Sequence, residues 1–304
     1  MMRSDSRPGP GPRAIPIVIA GAAVLVFLVQ AHRGVVQLNR LIGRLSNDDS
    51  VVYVTLDRKS AIRPDEIDSR ARLVGKRIDV LWGSWSLVEA ALNALREIED
   101  AGFAYRHVVY LSGEDYPVVD MAGFREALRE GVDYLSFVPV SDEGWPCEER
   151  FTRFHGGSRG VRPFLRAANA VGGRIGYRRR MPAGMVPCAG SNWWNLTQPT
   201  IRSVLAFVER NPGVVRFFKR TACPDELFFQ TIVNHLALDT ALVNDNLRYI
   251  RFPEGGSHPD VLDMSHAARI LASNAILIRK VQDPVSIPLL RHIAAVRNLP
   301  AMEP

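Results

Sequence analysis

Four short strand-like runs, each followed by a polar or aromatic residue and each set off from the next by a turn or a helical pattern, restrict this chain more than any other feature. They lie at residues 24–29, 51–56, 78–81 and 107–111. The first is apolar throughout and feeds the helical spacing of Val36, Leu38, Leu41, Ile42 and Leu45, as a strand buried on both faces does before a crossover helix. A second helix is expected over 86–98. Strands alternating with helices build a parallel, doubly wound α/β sheet, and ligands of such sheets sit outside the carboxyl ends of the strands. His32, Asp57, Trp82 and Asp115 each fall just past a strand end, so one rim is predicted to carry all four.

Farther along, helices are expected over 121–131 and 198–210 and a strand over 134–138. A long loop with one short helix near 163–171 occupies 156–180. The segment from Met185 runs into Trp193-Trp194. Pro224 opens a helix to about His235, a further helix covers 262–272, and 276–278 form a last short strand. With 304 residues and 47% hydrophobic content the chain can bury one sizeable core. A single domain over 14–290 is therefore expected, between a disordered tail at 1–13, rich in Pro, Gly and Arg, and a short C-terminal tail at 291–304.

The net charge of +6 is modest but uneven, with ten arginines and no acid between Arg150 and Val208. Such a stretch favours an anionic ligand. No nucleic-acid partner is expected, because no recognition motif is present and aromatics are not interleaved with the basic residues; a nucleotide diphosphate or an acidic glycan needs only a few of these charges. Cys147, Cys188 and Cys223 are odd in number and lack metal-ligand spacing, which argues against a metal site or a disulfide framework and fits a reducing compartment.

Residues 14–31 carry no charge and reach the length of a transmembrane helix. Arg3, Arg7 and Arg13 ahead of them suit a signal anchor. Because 24–29 reads as a strand, a cytoplasmic protein with peripheral association at the inner face of the membrane is expected, and anchoring through 14–31 is the alternative.

Taken alone, Pro224-Asp225-Glu226 is a well-made helix start: proline fits the first turn and acids are favoured by the positive end of the helix dipole. Four other segments change its meaning. They are Val54-Thr55-Leu56-Asp57-Arg58-Lys59-Ser60, Trp82-Gly83-Ser84-Trp85-Ser86, Tyr110-Leu111-Ser112-Gly113-Glu114-Asp115-Tyr116-Pro117 and Gly190-Ser191-Asn192-Trp193-Trp194-Asn195-Leu196. Together, in this order, the five resemble the core-2/I-branching glycosyltransferase family, which also contains the peptide O-xylosyltransferases. The resemblance runs from about residue 24 to about residue 283.

The resemblance implies a GT-A-like fold with a mostly parallel central sheet, a UDP-sugar co-substrate and neither cofactor nor metal. Many transferases of this fold hold a divalent ion with Asp-x-Asp, but this chain has no two aspartates spaced by one residue. By the resemblance Lys280 takes the diphosphate and Glu226 is the catalytic base, with Asp225 beside it supporting the helix start. Asp57 accepts hydrogen bonds from uracil or ribose, Trp82 stacks on the base, and Val29 and His32 line the same pocket. Asp115 caps the turn at the rim. Ser191, Trp193 and Trp194 belong to the sugar side, where aromatic planes stack on pyranose faces. Trp145, Glu148, Glu149, Arg150, Arg153 and His155 fall where the family binds acceptor, and Arg179 and Arg180 serve the acceptor or the phosphates.

The function implied is inverting, metal-independent transfer of N-acetylglucosamine or xylose from a UDP-sugar to a glycan, glycolipid or polysaccharide acceptor. A peptide O-xylosyltransferase is one alternative, and a membrane-anchored, non-catalytic glycan-binding protein is another. Convergence of Glu226, Lys280 and Asp57 on one pocket distinguishes the enzymes from the last.

Overall fold

The computed structural model describes residues 24–301 apart from 142–143, 158–159 and 257. The expected tail at 1–13 and residues 14–23 lie outside it. The first half of the chain runs β1 (Val24–Ala31), α1 (Val35–Leu45), β2 (Ser50–Leu56), β3 (Ala71–Leu73), α2 (Trp85–Asp100), β4 (Tyr105–Ser112), β5 (Asp115–Pro117), α3 (Met121–Ala127) and β6 (Val132–Pro139). It continues through α4 (Glu149–Thr152), α5 (Arg162–Arg174), β7 (Cys188–Thr197), α6 (Gln198–Arg210), α7 (Pro212–Phe218) and α8 (Phe228–Leu236). The last elements are β8 (Ala241–Val243), β9 (Arg248–Ile250), α9 (Ala267–Leu271), β10 (Leu277–Arg279) and α10 (Ile287–Val296).

β1 explains the architecture. Successive side chains of a strand point to opposite faces, so Val24, Val26 and Leu28 join one core with Val88, Leu92 and Leu95 of α2 and Phe228 and Phe229 of α8. Leu25, Phe27 and Val29 join the other with Leu38, Leu41 and Ile42 of α1 and Phe124 of α3. A run without polar alternation is what a strand covered on both faces requires. The seven-stranded sheet has the order β3-β2-β1-β4-β7-β6-β8. β1 lies parallel to both β2 and β4, whereas β7 is antiparallel to β4 and β6. The sheet is therefore mostly parallel, with one reversed strand.

Reversal of β7 matters for the site, because it brings the start of β7 to the rim where β1, β2 and β4 end. Gly190 makes the join with β6 possible. A Cβ there would lie 1.9 Å from the Ser136 carbonyl oxygen, at an irregularity of the β6–β7 ladder, so no other residue fits without moving a strand.

A second sheet, β5-β10-β9, continues from the rim. It packs with α9 and α10 in a third core that contains Tyr116, Leu262, Ile270, Ile278, Leu289, Leu290 and Ile293. α10 crosses the boundary expected at residue 290, so the predicted C-terminal tail is corrected: its first part is a packed helix. The strand expected at 78–81 is also corrected. That stretch is a rim loop whose backbone bonds the turn after β2, with Arg58 N–H donating to the Ile78 carbonyl at 3.0 Å, and the third parallel strand is β3 instead. The helix expected from Pro224 begins as a single tight turn at Pro224–Glu226 and breaks at Leu227, whose side chain is fully buried. Residues 24–31, half of the uncharged stretch read as a possible anchor, are the strand β1. No helix among the described residues is long and apolar enough to cross a membrane.

Candidate active site

The carboxyl ends of β1, β2 and β4, the first residues of β7 and the end of β10 open on one cavity of about 760 Å³. One side of it is built by chain turns at the strand ends. Asp57, just past β2, accepts from the Lys59 N–H at 2.9 Å and from Lys59 Nζ at 3.2 Å, which fixes its carboxylate at the rim. His32 follows β1; desolvation of its ring, aided by the Arg33 charge, lowers its pKa and keeps it neutral at pH 7. Trp82 stands at the mouth with its ring exposed, 5.8 Å from that of His258.

Two carboxylates hold the cations. Glu114 receives Arg33 Nη2 at 2.8 Å, Gln282 Nε2 at 2.7 Å and Lys280 Nζ at 3.3 Å. Burial alone would raise its pKa, but the hydrogen bonds from Gln282 and Arg33 and the charges of Lys280 and Arg33 outweigh it and hold Glu114 below the usual carboxylate range. Asp115, fully buried beneath the cavity, accepts from the Ser112 N–H at 2.8 Å and from Arg279 Nη1 at 3.2 Å. Arg248 Nε lies 3.9 Å from the same carboxylate. Burial lowers the Arg248 pKa to about 10 against the pull of Asp115, so the side chain stays charged at neutral pH. The Arg279 guanidinium lies 4.7 Å from the Trp193 ring centroid, a cation–π arrangement.

Asp225 and Glu226 line the opposite side, presented by the tight turn at Pro224–Glu226. The turn is tied down by Cys223 N–H, which donates to the Gly83 carbonyl at 3.0 Å next to Trp82. Glu226 Oε2 accepts from Arg150 Nη1 at 2.5 Å, and the Arg150 guanidinium lies 4.9 Å from the Trp145 ring centroid. A carboxylate held on one oxygen by an oriented guanidinium has its second oxygen left for a ligand.

Asp225 behaves differently from a helix cap. It is buried, and its Oδ1 has no hydrogen-bond partner among the described residues. Burial, reinforced by the neighbouring Glu226 charge, raises its pKa from 3.8 to about 7. Between those values the folded protein holds a proton that the unfolded chain has lost, so the contribution of Asp225 to stability is greatest at low pH and falls as pH rises toward 7. Asp225→Asn is therefore expected to stabilise the ligand-free protein at pH 8, by on the order of 2 kcal/mol, with the gain shrinking toward pH 4. Melting temperatures measured across this range check it; a uniform loss at every pH would restore the capping role.

Of the residues singled out in the sequence, His32, Asp57, Trp82, Trp145, Ser191, Trp193, Asp225, Glu226 and Lys280 line the cavity. Others do not. Val29 and Trp194 are buried in the cores on opposite faces of the sheet, whereas Trp193, which flanks Tyr110 together with Trp194, is only partly buried and reaches the cavity. Asp115 acts from beneath the floor through Arg279. Glu149 and Arg153 pair with each other at 2.9 Å on the exposed surface of α4, and Arg180 is exposed away from the cavity. Arg33, Glu114, Arg248 and Arg279 were not given these roles, and Arg150 was expected with the acceptor rather than on Glu226. The adjacent Arg279-Lys280 and Glu114-Asp115 pairs carried a signal for two of them, whereas Arg150 and Arg248 reach their partners only through the fold.

Residues 25–273 match the Core-2/I-Branching enzyme family. Human Xylosyltransferase 2 is 27% identical to the chain over 241 residues, which cover 74% of this chain and 26% of the relative. Xylosyltransferase oxt of Drosophila melanogaster is 26% identical over 242 residues, covering 73% and 26%. The chain thus spans about a quarter of the length of these curated relatives. The solved apo structure of mouse xyloside xylosyltransferase 1 is 10% identical, covers 71% of this chain and 82% of its own, and has a TM-score of 0.30, a likeness too slight to argue from. The family match takes in β1, the rim turns, the reversed strand β7 and the Asp225-Glu226 turn, and this chain, with its mostly parallel α/β sheet, belongs to the Core-2/I-Branching enzyme family of glycosyltransferases.

Proposed function

We propose that the protein is an inverting glycosyltransferase that moves N-acetylglucosamine or xylose from a UDP-sugar to a hydroxyl of a glycan or glycolipid, without a metal ion. The observation that carries the proposal is convergence. Asp57 and Trp82, Arg279 and Lys280, and Glu226 come from distant parts of the chain and line one cavity, whereas a non-catalytic glycan-binding protein has no need to bring a nucleotide rim, paired cations and a carboxylate together.

The residues divide the work by chemistry. Uracil stacks on Trp82 and the uridine moiety donates hydrogen bonds to Asp57, which sets the diphosphate against Arg279 and Lys280. The acceptor hydroxyl lies at Glu226. As its oxygen bonds to the anomeric carbon from the side opposite UDP, Glu226 takes the proton, and the old anomeric C–O bond breaks with its electron pair going to UDP. One displacement inverts, so an α-linked donor gives a β-linked product. Cations already in place around the diphosphate stabilise the charge that develops on it without reorganising, and supply what an ion held by Asp-x-Asp supplies elsewhere. A second reading, peptide O-xylosyl transfer, is favoured by the xylosyltransferase relatives and uses the same residues and steps.

UDP release from a panel of nucleotide sugars tests the proposal without knowledge of the acceptor. Release from UDP-N-acetylglucosamine or UDP-xylose is expected, and at an unchanged rate in EDTA. Loss on chelation with recovery in manganese would overturn the metal-free account. Neither release nor calorimetric binding of any UDP-sugar would overturn the glycosyltransferase reading itself.

A further inference from the structure

Helix α5 places Phe164, Ala168 and Val171 on one stripe at helical spacing, and Ile175 extends the stripe just past the last turn. That stripe faces solvent: Phe164 is 75% exposed, Val171 55% and Ile175 73%. The helix meets the protein through a different side. Asn169 Nδ2 donates to the Phe154 carbonyl and its Oδ1 accepts from the Phe154 N–H, both at 2.8 Å, and Gly172 lies against Tyr177. Arg162, Arg166 and Arg174 occupy the remaining helix surface, Arg178 and Arg180 follow, and all five are exposed.

The segment is firmly mounted. Arg179, buried among exposed arginines, donates to the carbonyls of Arg153, Phe217 and Arg220 at 2.6–2.8 Å and lies 4.1 Å from the Phe217 ring centroid. An ordered helix with an exposed apolar stripe needs something to cover it. Charge decides what. Residues 151–208 contain no acid, and Arg166, Arg174, Arg178 and Arg180 make no ion pair among the described residues. An apolar groove on another protein would satisfy only the stripe, but an anionic bilayer satisfies both, taking the apolar side chains below its headgroups and the guanidiniums among its phosphates.

We propose that α5 and residues 175–180 dock the protein on an anionic lipid surface. This inference does not depend on the proposed reaction, and it uses a different segment from residues 14–31.

Flotation of the full chain with vesicles of phosphatidylcholine and phosphatidylglycerol, compared with phosphatidylcholine alone, tests the proposal. Binding is expected to the anionic vesicles and to weaken in high salt. Arg166→Gln with Arg174→Gln should lower the vesicle affinity by about fivefold per arginine, and Phe164→Ser with Ile175→Ser by at least about tenfold. Both pairs should keep the parent melting temperature and UDP binding, since none of the four residues lines the cavity. Failure to float with anionic vesicles would overturn the proposal. So would binding that survives both pairs, including binding that is lost only on deletion of residues 1–23, and so would a parent dimer that the serine pair converts to a monomer, which would show a second copy on the stripe.

Discussion

Glu226→Gln is expected to lower sugar transfer by roughly 10²- to 10⁴-fold, the usual worth of a general base, while UDP affinity stays near that of the parent. Glutamine keeps the size of the side chain and an oxygen to accept from Arg150, so the turn and its guanidinium partner remain in place, and what is lost is the capacity to take a proton. Transfer rates under saturating donor, with UDP affinity by calorimetry, separate the two effects. Asp225→Asn is the internal control. It sits on the same turn and leaves the Arg150 contact alone, so its effect on rate should be far smaller, with its main consequence the pH-dependent gain in stability. Transfer by Glu226→Gln within a few-fold of the parent would place the base elsewhere.

Lys280→Ala should weaken UDP binding by about 10- to 100-fold, the worth of one charge-assisted contact to phosphate, and should lower transfer as well, because the contact persists as the diphosphate departs. Glu114 makes this a clean experiment. Without Lys280 it still holds Arg33 and Gln282, so the rim is not left with an unpaired buried carboxylate and the fold should survive. A fall in transfer at unchanged UDP affinity would remove Lys280 from the diphosphate. Arg279→Ala would be a poorer probe, since it leaves Asp115 buried with less compensation and disturbs the packing on Trp193.

Legibility of the molecule in its sequence followed the range of the forces involved. β1, β2 and β4 were readable because unbroken or alternating apolar runs record directly which faces are covered, and α6 because its period is regular over its whole length. Residues 78–81 misled for the same reason: three apolar residues in four look like a strand, but the segment's hydrogen bonds go to the turn after β2, a partner that no local pattern reveals. Asp57 could be placed because the ends of parallel strands define a rim, whereas Trp82 reaches the same rim from a loop and not from the strand end expected before it. Glu226 could be found from its motif, but Arg150, expected on the acceptor side, is seen to hold it only once the fold brings the two together. Burial of Asp225 reversed its expected role, and that reversal depends first on desolvation by the surrounding fold and then on the Glu226 charge beside it, the first of which no helix-start pattern records.

Pro139 and Cys188 are direct partners across β6 and β7, and just beyond them Val140 N–H donates to the Pro187 carbonyl at 3.0 Å. The intervening chain therefore leaves the sheet and rejoins it at a single doorway. Closing such an excursion costs free energy that grows only with the logarithm of its length, and the ladder on either side is indifferent to what lies between. Residues 140–187 are in this sense an inserted unit with few anchors: Cys147 and Met185 enter the core, Arg179 holds the carbonyls of Phe217 and Arg220, and Arg150 reaches Glu226. A graft that keeps those anchors would change the surface beside the cavity while β6 and β7 kept their register.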